Sequence, residues 1–215
     1  METYGTIVRF FQDGGIFMYP IMIVLALGVS IAIERYFHLS RSTSVNKKTW
    51  HELMPLIKAG EYKRALAVST ESKAAIGKIM NYGLSRTTTA RRRDDIETAM
   101  EEGLMEVVPS LEKRTHYIAT FANIATLLGL LGTIVGLISA FTAVSHADPA
   151  EKADLLSASI SVAMNTTAFG LMAAIPLLLI YSVLQSKTTT LVDSLEMASV
   201  KFINMLTEQK KASGA

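Results

Sequence analysis

Residues 118–144 read IATFANIATLLGLLGTIVGLISAFTAV, and residues 155–184 read LLSASISVAMNTTAFGLMAAIPLLLIYSVL. Neither stretch holds an Asp, Glu, Lys, Arg or His, yet both carry Gly, Ser, Thr and Asn. About 20 predominantly apolar residues cross the roughly 30 Å of bilayer hydrocarbon, so each run is long enough to span a membrane as a helix. Hydroxyls without a charge describe a wall or lining that needs an ionisable group from elsewhere to move ions. That combination points to one part of a membrane machine and away from an enzyme.

Working outward, a third bare stretch lies at Ile16–Ile33. It is the shortest, and its length alone would also fit a buried helix of a soluble protein. Glu34-Arg35-Tyr36 closes it with the charge and aromatic anchor expected at a membrane interface. Half of the 215 residues are hydrophobic and 19% are charged, and the mean hydropathy is +0.32. The charges are segregated. Only Arg9 precedes the first run and only Lys152 separates the second from the third, whereas fifteen Lys and Arg fall in 35–117 and four follow Leu184. Basic residues collect on the cytoplasmic side, which places the N-terminus and the 145–154 loop outside and the middle segment and tail inside. The N-terminal run lacks a basic leader and a small-residue cleavage site, which argues against a cleaved signal peptide. A net charge of +2 and the acids beside Arg91-Arg92-Arg93 argue against nucleic acid.

The resulting plan is an all-α membrane protein. A periplasmic or interfacial segment (1–15) leads into the first span (16–37) and a cytoplasmic helical domain (38–117). The second span (118–144), a short periplasmic loop (145–154), the third span (155–184) and a cytoplasmic helix and tail (185–215) follow. Residues 2–13 place Ile7, Phe10 and Phe11 on one side and read either as an amphipathic helix in the outer interface or as a frayed terminus. Trp50, Leu53, Met54 and Ile57 recur at helical spacing, Gly60 ends that helix, and Tyr62 and Leu66 begin another. Asp94–Glu112, acidic near its start as the macrodipole favours, is predicted to run directly into the second span, with Pro109 as a possible kink. Residues 187–208 continue the third span with Leu191, Leu195, Ala198, Phe202 and Met205 on one stripe. Spans two and three thus extend into a cytoplasmic helical bundle.

Within span two, Gly132 and Gly136 form a GxxxG pair that lets helix backbones approach closely in lipid, next to Gly129. Thr133 has two readings. Its hydroxyl can bond back to the carbonyl four residues earlier. Alternatively, Asn123, Thr126 and Thr133 form a polar stripe that should face the bundle interior. In span three Ser161 and Asn165 pair at i,i+4, Thr167 lies with Ala163, Met164 and Leu171, and Pro176 removes a backbone bond mid-span. His38, His51, His116 and His146 show no ligand spacing, so no metal or resident cofactor is expected. Glu34 and Arg35 read as a helix-end anchor or a subunit contact, and Arg91–Arg93 as a solvated or headgroup-facing patch.

LLGLLGTIVGLISAF (127–141), TTAFGLMAAIPLLLIYSVL (166–184) and GGIFMYPIMIVLALGVSIAIERYFHL (14–39) resemble, in order and spacing, the signatures of the MotA/TolQ/ExbB family. Three spans favour the ExbB/TolQ branch, since flagellar MotA-type subunits have four. The resemblance implies a pentameric ring around a dimer of single-span ExbD/TolR-like helices that bring one membrane-embedded aspartate. Ion flow would then drive work in the periplasm, as in TonB-dependent uptake or Tol-type systems, with a TonB- or TolA-like protein as a further partner. On this basis Thr133 and Thr167 face the partner aspartate, with Thr166 and Asn165 as second candidates, and Gly129, Gly132, Gly136, Gly170 and Pro176 shape the helix packing. Two departures stand out. Val162 occupies the place where relatives often carry a Glu, and Thr126 stands where many have Pro. The transported ion is H⁺, or Na⁺ through the hydroxyl oxygens. A different class of function, a non-conducting scaffold clamping a single-span partner, predicts the same packing glycines.

Overall fold

The computed structural model describes residues 14–87 and 92–213, with side chains to 209. The amphipathic reading of 2–13 and the Arg91 end of the basic run lie outside the described residues. Six helices and no strand are found among those described: α1 (Met18–Lys58), α2 (Tyr62–Glu71), α3 (Ala75–Arg86), α4 (Arg93–Glu112), α5 (Thr115–His146) and α6 (Lys152–Ser213). Three apolar stretches, carried by α1, α5 and α6, are long enough to cross a membrane. The chain divides into two compact units, Met1–Glu34 with Arg114–Val183 and Arg35–Lys113 with Leu184–Ala215.

The first unit has its size pattern reversed relative to a soluble core. Ala122, Ala125, Ala163, Ala173 and Ala174 are buried, while Leu127, Ile138, Phe141 and Leu179 are exposed. In lipid, large apolar side chains gain nothing by leaving the hydrocarbon, so helices meet through small residues that bring backbones close. A Cβ on Gly28 of α1 would lie 2.9 Å from Leu177 of α6. Gly15, at φ +71°, turns the chain just before α1.

The second unit is packed in the ordinary way. Leu53, Ile57, Ile76, Ile79, Met80, Met100 and Phe202 are fully buried. The 187–208 stripe is also buried at Leu191, Leu195, Ala198 and Phe202, with Met205 half-buried. Gly60, at φ +75°, separates α1 from α2 as its position predicts. Buried polar groups do structural work here. Asn46 Oδ1 accepts from the Ile76 amide at 2.9 Å, satisfying a free donor in the first turn of α3. Arg35 is buried and donates to the Leu111 carbonyl in the last turn of α4, where a cation also complements the helix dipole. Lys187 Nζ sits 4.0 Å over the Tyr36 ring. The Asp95 carboxylate accepts from the Arg92 amide at 3.0 Å, and Arg93 donates to Asn204 at 3.1 Å, so these two basic residues are tied into helix ends.

One expectation about helix continuity needs correcting. The helix of Asp94–Glu112 does not run on into the second span: α4 ends at Glu112, Arg114 adopts φ +69°, and α5 starts at Thr115. No Gly or Pro marks the break. Its residues are held by other means, with Lys113 N donating to the Pro109 carbonyl at 3.1 Å and Arg114 lying 3.9 Å from Glu34. Conversely, α6 is one helix through Pro176, and α1 is one helix from Met18 to Lys58, including Pro55.

Candidate functional site

The antiparallel faces of α5 and α6 meet along glycine. A Cβ on Gly170 would lie 2.7 Å from the Ala125 carbonyl oxygen and 3.1 Å from Gly129 Cα. One on Gly129 would lie 3.2 Å from Thr167 Cα, one on Gly132 2.4 Å from Thr166 Cγ2, and one on Gly136 2.9 Å from Ala163 Cβ. The two backbones are therefore nearly in van der Waals contact from Ala125 to Gly136. Pro176 is exposed, further along α6.

This closeness sets the hydroxyl geometry. Thr133 Oγ1 and Thr167 Oγ1 are 2.7 Å apart across the helix pair. Thr133 Oγ1 also lies 3.2 Å from the Gly129 carbonyl of its own helix, and Thr167 Oγ1 donates to that same carbonyl at 2.9 Å. With the Thr167 hydrogen on that carbonyl, the single Thr133 hydrogen goes either across to Thr167 or back to Gly129. Gly129 serves this site by letting Thr167 reach its backbone oxygen.

The other candidates go elsewhere. Thr166 is 2% exposed and donates to the Gly14 carbonyl at 2.6 Å and the Val162 carbonyl at 2.9 Å. It ties the residues before α1 to α6. No hydrogen bond joins half-buried Asn165 to the threonine pair. Thr126 bonds back to the Ala122 carbonyl at 3.2 Å, and Asn123 is exposed. A cleft of about 190 Å³ lies beside Thr166 and is lined by Gly14, Phe17, Ser139, Ser159 and Val162 among the described residues. Sequence reasoning missed the Thr166–Gly14 bond. Its only signal was the Gly14-Gly15 pair at the mouth of the first span.

The chemistry follows from counting protons. Each hydroxyl has one hydrogen and two lone pairs. In the Thr133–Thr167–Gly129 triad both hydrogens are used internally, by the carbonyl or by the other hydroxyl. What remains is acceptor capacity. Such a pair suits a protonated acid, a hydrated proton or a hard cation. An ionised carboxylate would require one internal bond to break, at a net cost of about 0.5–1.5 kcal/mol. Spans two and three contain no ionisable group other than Tyr181.

The sequence profile of the MotA/TolQ/ExbB proton channel family matches residues 71–197. Among individual relatives, a protein of Methanothermobacter thermautotrophicus designated a biopolymer transport protein ExbB homolog is 27% identical, over 90% of this chain and 68% of its own length. Biopolymer transport protein exbB1 of Vibrio cholerae is 29% identical over 77% of this chain and 73% of its own. The Tol-Pal system protein TolQ of Haemophilus influenzae is 34% identical over 51% of this chain and 46% of its own. These are channel-like transport proteins and not enzymes. With well over half its length matched and three apolar helices in place, the chain is a membrane protein of the MotA/TolQ/ExbB proton channel family, in the ExbB/TolQ-like branch.

Proposed function

We propose that this chain is the ring-forming subunit of an inner-membrane motor, passing protons, or sodium ions, to an acidic residue of a single-span ExbD/TolR-like partner. The work is done in the periplasm, in biopolymer transport or a Tol-type process. The N-terminus and the 145–154 loop face the periplasm, and 38–117 and 185–215 face the cytoplasm, following the placement of Lys and Arg. Five copies form the ring, as the family resemblance implies. The observation that carries the reading is the Thr133–Thr167 pair, 2.7 Å apart at a glycine-tight helix contact. A proton relay through a membrane needs a titratable group, and this pair offers a lodging for one without supplying it. Val162, where relatives often carry Glu, lines an uncharged cleft, which leaves the titration to the partner.

The test is ion-driven activity of the purified complex with its single-span partner in liposomes, under a proton gradient and under a sodium gradient. Activity should respond to one ion and fall at least tenfold in a Thr133→Val, Thr167→Val double variant. Undiminished activity in that variant would overturn the site.

A further inference from the structure

The second unit presents a groove framed by lysines and, on another helix, an acidic surface. One is a groove between α1 and α6, about 490 Å³ in volume, lined by Lys47, Trp50, Asp193, Met197, Ala198 and Lys201 among others. It shares Thr43, Thr190 and Ser194 with an adjoining groove that reaches Lys187. Among the described residues neither Lys47 nor Lys201 has an ion-pair partner. The other surface is the outer face of α4, which carries seven carboxylates and one base. At its centre Met105 is 74% exposed, flanked one turn back by Glu101 and Glu102, which likewise have no ion-pair partner among the described residues. On the orientation proposed above, this methionine amid acids lies outside the bilayer, and the groove offers Trp50 and Met197 framed by lysines.

Their heights agree. Arg35 donates to the Leu111 carbonyl, so α1 and α4 share a reference level there. At 1.5 Å per residue, Met105 to Glu97 lies about 9–21 Å from that level along α4, and Thr43 to Trp50 about 12–22 Å along α1. At the far end Arg93 of α4 bonds Asn204 of α6, so Lys201 sits about 5 Å inside that level. Two different patches that complement each other make a head-to-tail contact, which closes into a ring when the rotation permits. A ring whose axis is the membrane normal requires both patches at one depth.

We infer that the acidic Met105 face of α4 docks into the Lys47–Lys201 groove of a second copy of this chain. The inference rests on the ring reading above and adds the contact that forms the ring outside the membrane. Because the chain has no cysteine, the test is direct. Met105→Cys in one tagged copy and Met197→Cys in a differently tagged copy are co-expressed with the partner and treated in membranes with a short bifunctional thiol reagent. We expect mixed-tag dimers, with neither single variant cross-linking to itself. Lys47→Glu with Lys201→Glu should cut their yield at least tenfold, and adding Glu101→Lys with Glu102→Lys should restore it to within about threefold. Native mass measurement of the same complex separates the two ideas. Intact oligomers without mixed dimers, or a charge exchange that fails to restore them, would overturn the docking face and leave the ring. A monomeric chain would overturn both.

Discussion

The hydroxyl oxygens of Thr133 and Thr167 lie 2.7 Å apart and both reach the Gly129 carbonyl oxygen, at 3.2 and 2.9 Å. Serine at either position keeps the oxygen and valine keeps only the shape. Thr133→Ser or Thr167→Ser should retain ion-driven activity within about threefold, while the matching valine variants lose it. The stability cost of each valine should stay near the ~0.6 kcal/mol average of hydrogen bonds between membrane helices. Denaturation in detergent would show whether loss of activity simply tracks unfolding.

Glycines at the helix contact should differ according to what a methyl group meets. Gly170→Ala would meet backbone, the Ala125 oxygen at 2.7 Å and Gly129 Cα at 3.1 Å, and only movement of a whole helix can relieve that. Gly132→Ala meets the Thr166 methyl, itself pinned by two hydrogen bonds. We expect losses of about 1–3 kcal/mol for both, as for other overpacked sites, with Gly170→Ala the larger. Thermal unfolding of the complex in detergent gives the order.

Arg114 holds φ +69°, a conformation that costs an L-residue about 1–2 kcal/mol. Its ion pair with Glu34, at 3.9 Å with both side chains about half exposed, returns at most about 1 kcal/mol. Arg114→Gly should therefore match or exceed the parent in stability. Arg114→Ala keeps the strain, loses the pair and should fall below both. Chemical denaturation midpoints would rank the three.

The Tyr82 phenol donates to Glu106 at 2.6 Å, and that bond, with the Glu106 charge, raises its pKa above the ordinary 10.0. The stabilising bond is intact below pH 10 and is lost as pH rises through the raised folded value. Burial also raises the Tyr62 phenol, so absorbance titration should show a late-ionising component that loses one tyrosine in Tyr82→Phe and has one shifted down in Glu106→Gln. An unshifted titration in Glu106→Gln would remove the hydrogen bond as the cause.

Much of this fold is written in local chemistry. Bare apolar runs mark the spans, and Gly60 marks a true helix end because its left-handed φ admits little else. The break at Arg114 left no trace, since an arginine carries no signal for that conformation, and the ion pair it makes there is with Glu34, far away in sequence. The same limit applied at the site. Helical spacing put Thr133 on a polar stripe and the family resemblance singled out Thr167, but only the approach allowed by Gly129 and Gly170 brings the two to hydrogen-bonding distance. Thr166 and Asn165 adjoin Thr167 in sequence and so read as candidates of one kind. Successive residues of a helix point about 100° apart, and this sends Thr166 to Gly14 and leaves Asn165 off the pair.

The self-sufficiency of the threonine triad bears on how the complex is born. Among the described residues no buried side-chain nitrogen or oxygen lacks a hydrogen-bond partner. The described interior of a single copy is thus satisfied without a second chain. No described interior group demands immediate company, so on the function proposed above a ring would be built and kept in the bilayer first, with its single-span partner fitted afterwards.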